Sequence, residues 1–196
     1  MTRQQKLDRL RKVGEETVIL RQSLIEKFGH QILECADVIA GVIGSRGKIL
    51  ICGNGGHAAM SSHLAAELVV RLSADRNRQA LPALALSVDP GILTAAANDY
   101  GYKEVFARQV EALGQRGDML IVMSTSGNSP NCLRAVQTAS AQGLLTFGLL
   151  GGDGGKLATM VERSIVIPHP SPQRIQEEHL FLIHHLVELI ESDLFA

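Results

Sequence analysis

Two short stretches of the chain carry nitrogen and oxygen donors at spacings that a helix would turn to one side. His63 and Glu67 stand four residues apart and share one helical face. Near the other end, Gln176, Leu180 and His184 recur at intervals of four, while Glu177, Glu178 and His185 point elsewhere. Two imidazole nitrogens, a carboxylate oxygen and an amide oxygen make a donor set suited to Zn2+. Taken singly, each also has an ordinary reading. A His with a Glu four residues on is a common surface pair, and His184 among Leu and Ile reads as a hydrogen-bonded core residue.

A second kind of chemistry is written in the loops. The apolar run Met119–Met123 leads into Ser124-Thr125-Ser126-Gly127-Asn128-Ser129-Pro130. Ser129 stands as N-cap and Pro130 at the first helical position, a strong helix start. Free N–H groups, the positive end of the helix dipole and the hydroxyls of Ser124, Thr125, Ser126 and Ser129 would all face an anion such as a phosphate. The alternative is a Ser-rich turn whose hydroxyls only satisfy backbone groups. The earlier run Lys48–Cys52 ends in Gly53-Asn54-Gly55-Gly56-His57-Ala58, a loose dinucleotide fingerprint with Asp75 where a ribose ligand would stand. Asp75 sits in a polar stretch, not at a strand end, so two phosphate-type loops on neighbouring strands fit a sugar phosphate better. Neither loop is followed by Gly-Lys-Ser/Thr, so triphosphate hydrolysis is not expected.

These loops need a scaffold. Short apolar runs at 48–52, 81–86, 119–123, 145–149 and 164–167 alternate with helical stretches at 57–71, 90–98, 103–113, 130–142, 154–161 and 172–194, which predicts an α/β fold with a parallel sheet covered on both faces. Ligands of such sheets bind at the carboxyl ends of the strands. Residues 4–46 carry apolar side chains at spacings of three and four, which predicts two long helices with a break near Phe28-Gly29-His30 and an apolar face suited to a subunit interface. At 196 residues, 45% hydrophobic and 20% charged, the chain reads as one domain over 1–196: a helical segment at 1–46 and an α/β core at 47–196. A formal charge of -1 and 4% aromatic content give no global field or stacking platform for nucleic acid or an anionic membrane. Cys35, Cys52 and Cys132 are odd in number and form no close pair, and the N-terminus lacks the apolar core of a signal peptide, so the expected compartment is the cytoplasm.

Taken together, Gly53-Asn-Gly-Gly56, His63-x-x-x-Glu67, Asp89, Asn98-Asp99-Tyr100-Gly101, Ser124 to Ser129, Gly151-x-Asp-Gly-Gly155 and Arg174-Ile-Gln-Glu177 with His184 resemble the SIS (sugar isomerase) domain family over almost the whole chain. The resemblance implies a three-layer SIS fold and a homotetramer with active sites at subunit boundaries. It implies an aldose–ketose isomerase interconverting sedoheptulose 7-phosphate and D-glycero-D-manno-heptose 7-phosphate, in the supply of heptose for lipopolysaccharide. It implies one Zn2+ per subunit on His63, Glu67, Gln176 and His184, with Glu67 and His184 also moving the protons through an enediol or enediolate. Phosphate would lie on Ser124, Thr125, Ser126 and Ser129. The sugar would meet Asn54, Gly55, Gly56, His57, Asp89, Asn98, Asp99 and Gln176; Ser87, like Asp89, could bind sugar hydroxyls or only cap a strand end. Asp99 and His179 are reserves for moving the protons, a turn cap and a place facing solvent or a neighbouring subunit being their ordinary readings. The chain departs from the family pattern at His57, where Ser is usual, at Met60, where many members have Asp, and at Gln173, where some have Asp. His57 could bond the ligand or crowd it. These departures keep an isomerase for another phosphosugar open, and a non-catalytic SIS protein, such as one that binds the replication initiator, is the further alternative.

Overall fold

The computed structural model describes residues 1–195. Its five strands, β1 (Ile49–Gly53), β2 (Ala83–Ala85), β3 (Met119–Ser124), β4 (Leu145–Gly151) and β5 (Arg163–Ile167), form one parallel sheet in the order β2-β1-β3-β4-β5. β1 and β3 are buried along their whole length, which is why they read in sequence as unbroken apolar runs. Alternation sends Ile49, Ile51, Ile121 and Leu149 to one face, where α1 (Arg3–Gly44), α2 (Gly56–Val69) and α6 (Pro172–Leu194) cover them. Leu50, Cys52, Leu120 and Val122 go to the other face, under α3 (Pro90–Tyr100), α4 (Ala107–Leu113) and α5 (Pro130–Gln142). The result is the expected three-layer α/β architecture.

Three expectations fail. The N-terminal segment is one continuous helix of 42 residues, begun by a capping box between Thr2 and Gln5, and it does not break near Gly29. A mid-helix glycine costs about 1 kcal/mol. Packing of Leu24, Ile32, Cys35, Ala36 and Ile39 into the core on both sides of it outweighs that cost. The expected helix at 154–161 is only a 3-10 turn, Lys156–Thr159, because Gly154 and Gly155 adopt φ of 85° and 53°, outside any right-handed helix. The stretch at 103–113 likewise divides into a 3-10 turn, Tyr102–Glu104, and α4. No helix among the described residues is long and apolar enough to cross a membrane.

Candidate active site

The chain leaves β1 toward β2 on one side and later returns to place β3 on the other, so β1 and β3 flank the switch point of the sheet. Crevices for ligands open there, outside the carboxyl ends of the strands. The two loops singled out by their composition are the ones that follow β1 and β3, and they meet at this edge.

The loop after β3 is a tightly folded cradle. Ser124 is buried and its Oγ accepts from the Gly127 N–H at 3.1 Å, while Ser126 Oγ accepts from the Asn128 N–H at 3.2 Å. Gly127 adopts φ +61°, and a Cβ there would stand 1.8 Å from Gly154 O, so the Gly151–Gly155 segment lies directly against it. Asn128 joins the two by accepting from the Lys156 N–H, and Leu157 N–H donates to Gly127 O. Ser129 is the N-cap of α5 with Pro130 following, yet its hydroxyl makes no capping bond. Pro130 has no N–H and the Cys132 N–H is taken by Asn131 Oδ1 at 3.0 Å, so at this helix start the Ser129 hydroxyl and the positive end of the helix dipole are what remain for an anion.

In the loop after β1, Asn54 and Asn131 exchange two amide hydrogen bonds, Nδ2 to Oδ1 at 2.8 Å in each direction. Tyr102 Oη donates to Asn54 Oδ1 at 3.3 Å. The side chain of Asn54 thus ties its loop to the start of α5, and Gly55 and Gly56 present backbone at the crevice. Gly56 lies under Gln176, whose Oε1 would be 2.8 Å from a Cβ at that position.

α2 and α6 run side by side in the same direction, and their side chains meet in sequence. Gln176 lies on Gly56, His57 on His179, His184 on His63 and Glu67, and Glu191 on the Leu72 N–H. The third meeting is a closed triangle: His63 Nε2 to His184 Nε2 is 3.0 Å, His63 Nε2 to Glu67 Oε1 is 3.0 Å and His184 Nε2 to Glu67 Oε1 is 3.4 Å. Donors about 2.0–2.2 Å from one tetrahedral ion stand roughly 3.3–3.6 Å apart, so the triangle has close to the dimensions of three corners of such a site. The second carboxylate oxygen, Glu67 Oε2, is buried without a hydrogen-bond partner. Buried polar oxygens are rarely left so, so Oε2 is left for a ligand, while the three donors of the triangle, Oε1 among them, are the set a cation fits. Burial pushes the Glu67 carboxyl up, and the imidazoles of His63 and His184 pull it back down. His63, Glu67 and His184 are thus a possible metal triad. Gln176, the expected fourth ligand, is eight residues or about 12 Å of helical rise from His184, with its amide against Gly56.

Residues 15–151 match the SIS domain. The chain is 49% identical over 174 residues to the phosphoheptose isomerase of Chlorobaculum parvum, an overlap of 88% of this chain and 83% of that protein. The chain belongs to the SIS domain family. Solved SIS structures extend the likeness to the whole fold. A phosphoheptose isomerase from Francisella tularensis superposes with a TM-score of 0.91 at 32% identity, covering 98% of this chain and all of the other. One from Neisseria gonorrhoeae gives 0.88 at 38% identity, over 95% and 98% of the two chains. With such identity over nearly its full length, this SIS protein is an enzyme of the aldose–ketose isomerase class.

Other expected residues of the SIS site fall differently. His57, expected at the ligand, is buried and 2.9 Å from His179 Nδ1, because the first turn of α2 directs its ring toward α6. His179, a reserve for moving the protons with solvent or a neighbouring subunit as its ordinary reading, is wholly buried, and its Nε2 meets Leu150 O at 3.0 Å. Burial lowers the imidazole pKa from 6.5 to about 4 at His57 and to about 3 at His179, where His57 lowers it further. Asp89 is exposed and caps α3 by accepting from Ile92 N–H. Ser87 Oγ donates to Ala58 O, the strand-end role that was its ordinary reading. Asn98 and Asp99 are exposed and bond each other, and from their neighbourhood it is Tyr102 that reaches the loop after β1. Asn131 and Tyr102 carried no local signal, since their role depends on a partner about 77 or 48 residues away.

Proposed function

We propose that this enzyme interconverts sedoheptulose 7-phosphate and D-glycero-D-manno-heptose 7-phosphate. The observation that carries the reading is the triangle of His63, Glu67 and His184 with the partnerless buried Glu67 Oε2, on helices that start beside the cradle after β3. The relatives named phosphoheptose isomerase support the substrate.

In this reading the phosphate rests on Ser124, Thr125, Ser126 and Ser129 at the start of α5, where the Ser129 hydroxyl and the helix dipole favour a dianion. That anchor orients the far end of the sugar toward α2 and α6. Gly55, Gly56 and Gln176 border the sugar chain, with Asn54 fixing the loop, and Asp89, Asn98 and Asp99 are the outer candidates for its hydroxyls. Conversion of ketose to aldose removes a proton from C1 and delivers one to C2, while a hydroxyl proton shifts from O1 to O2; nothing is gained or lost. Glu67 takes the carbon-bound proton through its free oxygen. Its burial favours this, because desolvation makes a carboxylate a stronger base. His184, across the triangle at 3.4 Å, handles the proton on the neighbouring oxygen. Zn2+ held by His63, Glu67, Gln176 and His184 would supply positive charge for the enediolate oxygen. With one anionic ligand among four, the site keeps a net charge of about +1.

The same reading takes residues 1–196 as one domain that acts as a homotetramer, supported by exposed Leu10, Val18 and Ile19 along α1. Its three buried free thiols support the cytoplasm as the compartment, and the reading places the enzyme in the supply of heptose for lipopolysaccharide. The test is incubation of the purified protein with sedoheptulose 7-phosphate, with and without a chelator, followed by NMR of the sugar. The aldose is expected without chelator and suppressed with it. No aldose in either tube refutes the isomerisation, and turnover indifferent to complete metal removal refutes the Zn2+ assignment.

A further inference from the structure

His57 and His179 lie outside the triangle, yet they bridge the same two helices between the Gln176–Gly56 contact and the His63–His184 contact. The geometry fixes how the pair is protonated. Leu150 O can only accept, so His179 Nε2 carries a proton and donates to it across 3.0 Å. With that nitrogen as donor, His179 Nδ1 accepts, and the hydrogen on the 2.9 Å contact belongs to His57 Nε2. The chain His57 Nε2–H to His179 Nδ1, then His179 Nε2–H to Leu150 O, runs in one direction and ties the first turn of α2, the second turn of α6 and the end of β4. Both rings are enclosed, so no water competes for these bonds. The loop is closed on the pair as well: a Cβ on Gly53 would stand 2.6 Å from His57 Cβ.

We propose that His57 and His179 are a positioning pair that sets the register of α2 against α6, and so brings His63 and Glu67 of one helix to Gln176 and His184 of the other. His57 is one turn and a half before His63, and His179 lies between Gln176 and His184. A slip of α2 along α6 would open the triangle on one side. The pair opposes that slip by a bond whose donor and acceptor cannot exchange roles while Leu150 O is engaged. This inference rests on the cation reading above.

The test is Zn2+ titration by calorimetry of the wild type and three variants. His57→Gln keeps an N–H donor near the place of the imidazole Nε2; His57→Leu removes the donor; His57→Asn keeps a donor too short to reach. Partners outside the ligand shell typically change metal affinity by about 10–100-fold. Leu and Asn are therefore expected to weaken Zn2+ binding about tenfold or more, and Gln to return it to within about threefold of wild type. If Leu fails to fold, Asn carries the comparison. Equal affinity in wild type and the folded donor-less variant overturns the proposal, as does Gln binding as weakly as Asn. Nitrogen NMR of the wild type gives an independent reading: both rings are expected to be Nε2–H with bare Nδ1, and a protonated His179 Nδ1 overturns the proposal. A wild type that takes up no Zn2+ refutes the cation reading itself, which the variant arms leave untouched.

Discussion

Replacing Arg78 with Ala should unravel the far end of the helix that carries Glu67. The Arg78 side chain is 1% exposed, and its Nε pairs with the buried Glu191 carboxylate at 2.7 Å. Its other nitrogens donate to Leu68 O at 2.8 Å and Glu67 O at 2.7 Å, two of the last carbonyls of α2. Helix-end carbonyls have no partners within the helix, so Arg78 acts as their cap. Deletion strands a buried carboxylate and the Glu67 carbonyl together, while Leu68 O keeps the Leu81 N–H at 3.1 Å. Breaking a buried ion pair from one side costs about 3–5 kcal/mol, and the carbonyl bonds are part of that loss, not an addition to it. In a chain of this size each kcal/mol lowers Tm by about 2–4 °C, so Arg78→Ala should fall by roughly 6–20 °C in differential scanning calorimetry. The double variant Arg78→Met/Glu191→Leu separates the causes, because replacing both partners with apolar groups is often neutral. It should recover most of the loss, less about 1 kcal/mol for the unpartnered Glu67 carbonyl. A Tm loss under about 3 °C for Arg78→Ala, or a double variant no better than the single, would show that the pair does not hold this helix end.

The histidine pair makes stability pH-dependent in a stated direction. Unfolded imidazoles take protons near pH 6.5 while His57 and His179 resist them to about 4 and 3, so the unfolded chain binds more protons below pH 6.5 and stability falls as pH drops through that window. The slope reaches at most about 1.4 kcal/mol per pH unit for each histidine. Urea midpoints should therefore be flat above pH 7 and decline from pH 6.5 to 5, with a shallower decline in His57→Gln/His179→Gln; equal declines in both proteins would remove the pair as the cause. Gly127→Ala cannot keep its φ of +61° or its 1.8 Å approach to Gly154 O, so the cradle must open. We expect at least a tenfold rise in KM for sedoheptulose 7-phosphate, and an unchanged KM would refute the phosphate assignment. Glu67→Gln keeps the shape but removes the charge and the base. It should lower bound Zn2+, measured by atomic absorption, and cut kcat by about 10²–10⁴; full metal content with near-normal turnover would exclude both roles.

The sequence disclosed what local chemistry determines. Ser129-Pro130 announced the start of α5, and the helical stretch read at 172–194 is α6. The buried parallel strands stood out as apolar runs because both their faces are covered. The pairing His63-x-x-x-Glu67 was readable because it lies within one helix. Errors arose where a distant partner overrules a local signal. Gly29 looks like a helix break, but the core contacts on either side of it come from elements far along the chain. His57 looks like a loop residue facing ligand, and only His179, 122 positions later, explains why its ring turns inward.

That last case also shows why the candidate site could be guessed from spacing but not built from it. Each helix reveals which of its residues share a face; neither reveals the offset at which α2 lies on α6. The backbone of Gly56, the side chains of His57 and His63 and, past the end of α2, the Leu72 N–H meet side chains at 176, 179, 184 and 191, increments of 1, 6 and 9 against 3, 5 and 7. Matched increments would describe two ideal helices lying parallel, and the mismatch means that side-chain reach takes up the difference at each rung. A site assembled across such a ladder depends on every rung that fixes the offset, so residues that touch no ligand, Arg78 and the His57–His179 pair among them, govern whether the donors converge.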